Sequence, residues 1–154
     1  MPRTVLLLTT LLTSLLFAAP AMAEKRVALV IGNGAYVKSS ALANPVNDAT
    51  EMAKALAEAG FEVIAGLDLD KRTFDIKVRD FARALGDADV ALFYYAGHAL
   101  QVSGRNYLVP VDASMERERD LDFETAGADF VLRQMGIARG NRTNLVFLDS
   151  CRDN

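Results

Sequence analysis

Arg26-Val-Ala-Leu-Val-Ile-Gly32 is an apolar run without alternation, and it decides the fold class. A strand with one wet face alternates apolar and polar residues, whereas one covered on both faces reads as a continuous apolar stretch. The pattern returns at Val90-Ala-Leu-Phe-Tyr-Tyr95, and Phe61 to Leu67 and Asn144-Leu-Val-Phe-Leu148 read as two further strands. Helical periods fill the intervals. Asn44 is a candidate N-cap with Pro45 at the first helical position, where a missing N–H costs nothing. Ala49, Met52, Ala53 and Leu56 then share a face, and Gly60 ends the helix. Phe74, Val78, Phe81 and Leu85 fall at i, i+4, i+7 and i+11, with Gly86 closing the clearest helix. A further helix is expected over about 127–138. Ser103-Gly104 predicts a small hairpin, and the charge-dense Glu116 to Asp122 a solvated loop. Strands separated by helices in this rhythm imply one α/β domain, a mainly parallel sheet with helices on both faces.

Composition agrees. The 154 residues suffice for one domain, and 51% apolar with 24% charged residues is a globular balance. A formal charge of −3 offers no basic surplus for nucleic acid or an anionic membrane. One Cys excludes an internal disulfide, and one Cys with one His cannot complete a four-ligand zinc site, so any metal would need oxygen ligands. A dinucleotide fingerprint after the first strand fails, because Val37 occupies the place of the third glycine after Gly32 and Gly34.

Residues 1–23 read as an export signal. Arg3 supplies the positive start, Val5 to Phe17 is largely apolar, and Ala21-Met22-Ala23 fits a cleavage site before Glu24. The apolar stretch is short for a membrane span, so no stable span is expected after cleavage. The expected location is periplasmic or secreted.

Ligands of an open parallel sheet bind outside the carboxyl ends of its strands. The chain's single His, His98, follows the third strand in Tyr94-Tyr95-Ala96-Gly97-His98-Ala99. Its single Cys, Cys151, follows the fourth in Leu148-Asp149-Ser150-Cys151. If those strands are parallel neighbours, both side chains emerge at one edge. A thiol within reach of an imidazole is the minimal apparatus for nucleophilic acyl transfer, since the imidazolium populates the thiolate. A free Cys after a strand is also a common core residue, and spacing alone leaves both roles open. Asp48, in the first turn of the first helix, has a similar alternative in stabilising the helix dipole.

Tyr94-Tyr-Ala-Gly-His98 with Asp149-Ser-Cys151 resembles the caspase-like cysteine peptidases, in particular bacterial relatives of the metacaspases. Ala28-Leu-Val-Ile-Gly32, Asn44-Pro-Val-Asn47-Asp48-Ala49 and Gly104-Arg-Asn-Tyr-Leu-Val-Pro110-Val-Asp112 extend the likeness over nearly all of residues 24–154. The resemblance implies a caspase-like three-layer sandwich ending after the fourth core strand, the large-subunit part of the catalytic domain. It implies Cys151 as nucleophile, His98 as general acid/base, and the amides of Ala99 and Cys151 as the oxyanion hole. Ala99 stands where the family usually carries Gly, and strain at that amide is the expectation. Asp48 and Asp149 match the acids that line the pocket for a basic residue in metacaspases and paracaspases. Cleavage of protein or peptide substrates after Arg or Lys follows from them. No cofactor is expected. Calcium, which activates many metacaspases, could draw on Asp112, Asp120, Asp122 and Glu124. The fourth strand would present an open edge, suited to self-association or to a separate small-subunit chain. The rival expectation is a catalytically impaired module that binds a partner through that edge.

Overall fold

A computed structural model describes residues 24–136, 142–150 and the backbone of 152–153. Residues 1–23, where an export signal is expected, lie outside the described residues, as does Cys151. Four parallel strands form the main sheet in the order β2-β1-β3-β7: β1 (Arg26–Gly32), β2 (Phe61–Leu67), β3 (Val90–Ala96) and β7 (Thr143–Asp149). Helix α1 (Pro45–Glu58) joins β1 to β2, and α2 (Lys71–Ala84) joins β2 to β3. Right-handed crossovers place these two helices on opposite faces, because the chain steps one way from β1 to β2 and back the other way to β3. The step from β3 to β7 repeats the second direction, and α4 (Ala128–Gly136) lies with α2.

The result is three layers with two cores. Ala28, Val30, Leu92 and Tyr94 meet Ala49 and Leu56 of α1 on one face. Val27, Leu29, Ile31, Phe93 and Tyr95 meet Phe74, Val78 and Phe81 of α2, with Val131 and Met135 of α4, on the other. All four periodic residues of the second helix are buried, as their spacing predicts. Gly32 lets α1 approach closely: a Cβ there would collide with the Pro45 carbonyl oxygen and lie 2.6 Å from the Ala49 Cβ.

A second sheet sits at the carboxyl end of the first, in the order β6-β5-β4-β8. It comprises β4 (Ala99–Val102), β5 (Arg105–Leu108), β6 (Ala126–Gly127) and β8 (Arg152–Asp153). The expected hairpin is β4–β5, and Ser103 (φ 50°) and Gly104 (φ 77°) supply the two left-handed residues of its tight turn.

Two expectations need correction, and a third holds as far as the described residues reach. Asn44 has helical dihedrals (φ −98°, ψ −31°) and its side chain makes no capping bond, so Pro45 alone marks that start. The span Glu116 to Asp122 holds a 3-10 turn (Glu118–Asp120) and the start of a one-turn helix α3 (Leu121–Glu124). Asp120 nucleates it by accepting the Glu116 and Arg117 amides, and Leu121 is buried beneath it. The helix after it begins at Ala128 and is described to Gly136, with 137–138 outside the described residues.

Candidate active site

The strand order changes direction between β1 and β3. The chain leaves β1 towards one face and β3 towards the other, which opens a crevice at their carboxyl ends. Asn33 fills its floor, fully buried. Its N–H donates to the Ala96 carbonyl (2.9 Å), its Nδ2 donates to the Val109 carbonyl (3.1 Å), and its Oδ1 accepts the Leu69 N–H (2.9 Å). One asparagine, through its side chain and its own N–H, thus ties the exits of β1, β2, β3 and β5 together. Asp68 makes a similar tie beside it, its Oδ1 accepting the Gly34 and Ala35 amides at 2.8 and 2.9 Å.

His98 stands on this floor, half-buried. Its peptide is held at both ends: the His98 N–H donates to Tyr36 Oη (2.8 Å), and Tyr95 Oη donates to the His98 carbonyl (2.7 Å). Proton counting fixes the rest. With its one proton on the His98 carbonyl, the shorter of its two carbonyl contacts (Val109 O lies at 3.1 Å), Tyr95 Oη accepts from the Val109 N–H (3.2 Å) and from Tyr36 Oη–H (3.4 Å). Burial holds both tyrosine pKa values above 10, so both hydroxyls keep their protons at neutral pH. Gly97 (φ 152°) makes room, because a Cβ would stand 2.6 Å from Tyr36 Oη and 2.8 Å from Tyr95 Oη. The imidazole Nε2 lies 2.8 Å from the Ser40 carbonyl. A carbonyl only accepts, so Nε2 carries the proton and the neutral ring offers Nδ1 as its base.

Asp149 ends β7 opposite Ala96, and its carbonyl accepts the Gly97 N–H (3.3 Å). Paired residues of parallel strands point the same way, so Asp149 shares the α1 face with Ala96 and Tyr94. Tyr94 Oη donates to Asp149 Oδ2 at 3.4 Å. The Tyr94 pKa is pushed up to about 12, first by burial and then by the negative charges of Asp149 and Asp48. Both acids therefore act on one phenol. The structure brings Asp48, Asp149 and Tyr94 together on one side of the sheet end.

Ala99 opens β4 and is not among the residues with positive φ; the position that needs glycine is Gly97. The strain expected at residue 99 is absent, because the sharp turn out of β3 is completed before it. On either side of Cys151, Asp149 pairs with Ala96 and Arg152 pairs with Ala99. Those partners in turn bracket His98.

A cleft of about 490 Å³, lined in part by Arg79, Arg105, Tyr107 and Phe130, lies along α2 and α4 and includes none of these residues. Among the described residues no three His, Cys, Asp or Glu side chains gather as metal ligands. Of the acids considered for calcium, Asp112 accepts the Lys71 amide, Asp120 those of Glu116 and Arg117, and Glu124 that of Ser114. No helix among the described residues is long and apolar enough to cross a membrane.

The caspase domain family model matches residues 25–154. The chain belongs to the caspase domain family. This caspase domain is 36% identical over 92 residues to the mucosa-associated lymphoid tissue lymphoma translocation protein 1 homolog of Mus musculus, and equally to its Homo sapiens counterpart. The match takes in 60% of this chain and 11% of each relative, so the chain corresponds to about a tenth of their length. The crystal structure of protein GSU0716 from Geobacter sulfurreducens superposes with a TM-score of 0.63 at 22% identity, covering 82% of this chain and 50% of that one. The fold is shared, and the family is that of a caspase-type protease or regulatory module.

Sequence reasoning missed Tyr36, Tyr95, Asn33 and Asp68. Tyr95 reads as core and the others as loop, and the one available signal is an aromatic placed just after the Gly32-Asn-Gly34 turn.

Proposed function

We propose that this caspase domain is the catalytic part of an exported cysteine endopeptidase that cleaves after Arg or Lys, with Cys151 and His98 as its dyad. The observation that carries the reading is the double pairing of the chain around both residues, Asp149 on Ala96 and Arg152 on Ala99. A ring nitrogen left free by the Nε2–Ser40 bond supports the same reading.

In the reaction, the Cys151 thiol passes its proton to His98 Nδ1 while Sγ attacks the scissile carbonyl. The Ala99 and Cys151 amides receive the charge on the carbonyl oxygen. The C–N bond then breaks, and His98 returns the proton to the leaving amine. Water, deprotonated by the same imidazole, hydrolyses the thioester and restores the thiol. Asp48 and Asp149 hold the cationic side chain before the scissile bond, each contact being worth about 1.5–3 kcal/mol. The cation docks against Tyr94, a phenol that stays neutral because its pKa is about 12.

An Arg-containing peptide electrophile tests the proposal. It should label the wild-type chain and fail on Cys151→Ala, and Arg and Lys reporters should be cleaved where Asp reporters are not. A chain that neither labels nor cleaves overturns it. The second reading, a partner-binding module, is favoured by one feature: Leu145, Val146, Phe147 and Leu148 on β7 are 37–50% exposed. The helices lie over β1, β2 and β3, and no described strand pairs with the outer edge of β7. An unlabelled chain that runs as a dimer or larger assembly would support that reading.

A further inference from the structure

We infer that Tyr36 is a positioning residue for His98, setting which ring nitrogen is offered as the base. The inference rests on the reading of His98 as the acid–base group, and deepens it. Three observations converge. The Tyr36 ring lies against the imidazole, centroids 4.5 Å apart and planes tilted by 51°. Its hydroxyl accepts the His98 N–H at 2.8 Å. Its loop also supplies the Ser40 carbonyl that accepts a hydrogen bond from Nε2–H.

That loop is a closed unit. The Gly34 carbonyl accepts both the Tyr36 and the Leu42 amides (3.0 and 2.9 Å), and the Val37 N–H donates to the Val111 carbonyl (2.9 Å). Residues 34–42 therefore wrap the imidazole, with Tyr36 covering one ring face and Ser40 meeting its far nitrogen. An imidazole on a free side chain can rotate about its last torsion and exchange its two nitrogens. Here rotation would break the Ser40 bond, and the covered face and held peptide restrict the alternatives. The hydroxyl also acts on the backbone: together with Tyr95, it fixes the peptide from which the ring projects. Tyr36 is 8% exposed, and burial keeps its hydroxyl protonated, so it can donate to Tyr95 while accepting from His98.

These two effects, ring cover and peptide anchoring, separate by substitution. Tyr36→Leu removes the ring face and the hydroxyl; Tyr36→Phe removes the hydroxyl alone. Because His98 is the chain's one histidine, its ring ¹⁵N resonances are unambiguous and report the tautomer directly. The wild type should show Nε2–H as the dominant neutral form. Tyr36→Leu should shift the ring nitrogens towards those of an unconstrained imidazole, with kcat falling on the order of a hundredfold and KM moving by less than about threefold. Tyr36→Phe should keep the wild-type tautomer and recover most of kcat, while the His98 amide exchanges faster with solvent. Wild-type ring shifts in a folded Tyr36→Leu chain overturn the positioning role. If Tyr36→Leu fails to fold, unchanged His98 amide exchange in Tyr36→Phe overturns it instead. A wild-type chain with no peptidase activity counts against the proposed function alone, since the ring resonances still decide the role of Tyr36.

Discussion

Asp149 and Tyr94 illustrate what single residues contribute. A carboxylate at a strand end is easily placed but needs a partner to hold its orientation, and the Tyr94 phenol provides one at 3.4 Å. Replacing Asp149 by Asn removes a charge that disfavours the phenolate. The Tyr94 titration should then fall from about 12 towards 10, followed by tyrosinate absorbance. In the proposed reaction the same change should lower kcat/KM for Arg reporters about ten- to hundredfold, with Asp48→Asn acting in the same direction. His98, Asp48 and Asp149 are legible in the sequence because the ends of apolar runs and the Pro45 helix start locate them. Tyr36 and Tyr95 are not, because a tyrosine is written identically whether it fills a core or donates to a histidine carbonyl.

Helix α2 shows which element-level signals count. Its apolar period places Phe74, Val78, Phe81 and Leu85 in the core, all 0–2% exposed. Its start is set by Asp70, whose carboxylate accepts the Thr73 N–H at 2.7 Å; the Thr73 side chain first, and then that amide, hold the carboxyl below the ordinary carboxylate range. Phe81→Ala should cost about 3–5 kcal/mol by chemical denaturation. Asp70→Ala should cost clearly less, because a solvated cap can be replaced by water and a core ring cannot. The hairpin and the four main strands are equally readable, since turn chemistry and apolar runs are local. The one-turn helix after Glu118 is not, because its stability comes from Leu121 finding a core and Asp120 finding two amides.

Across the assembled layers, the elements converge on a tyrosine-lined site with a pH signature. Tyr36, Tyr94 and Tyr95 all have pKa values raised above 10, burial being the first cause in each. The folded chain keeps these protons after the unfolded chain has lost them, so the tyrosines' contribution to folding stability should be constant below about pH 10 and fall as pH rises towards 12. Denaturation midpoints across that range check the slope, and Tyr94→Phe should reduce it. The layered α/β architecture, the caspase likeness and the two strand ends to which the proposed chemistry is assigned are all written in local pattern, because apolar period and turn residues need no distant partner. Long-range packing was required to gather Asp48, Asp149 and Tyr94 on the α1 face, and to set Tyr36, Tyr95 and Ser40 around His98. Those contacts around His98 join residues 3 to 62 positions apart, and it is the crossing direction of the helices that makes them neighbours.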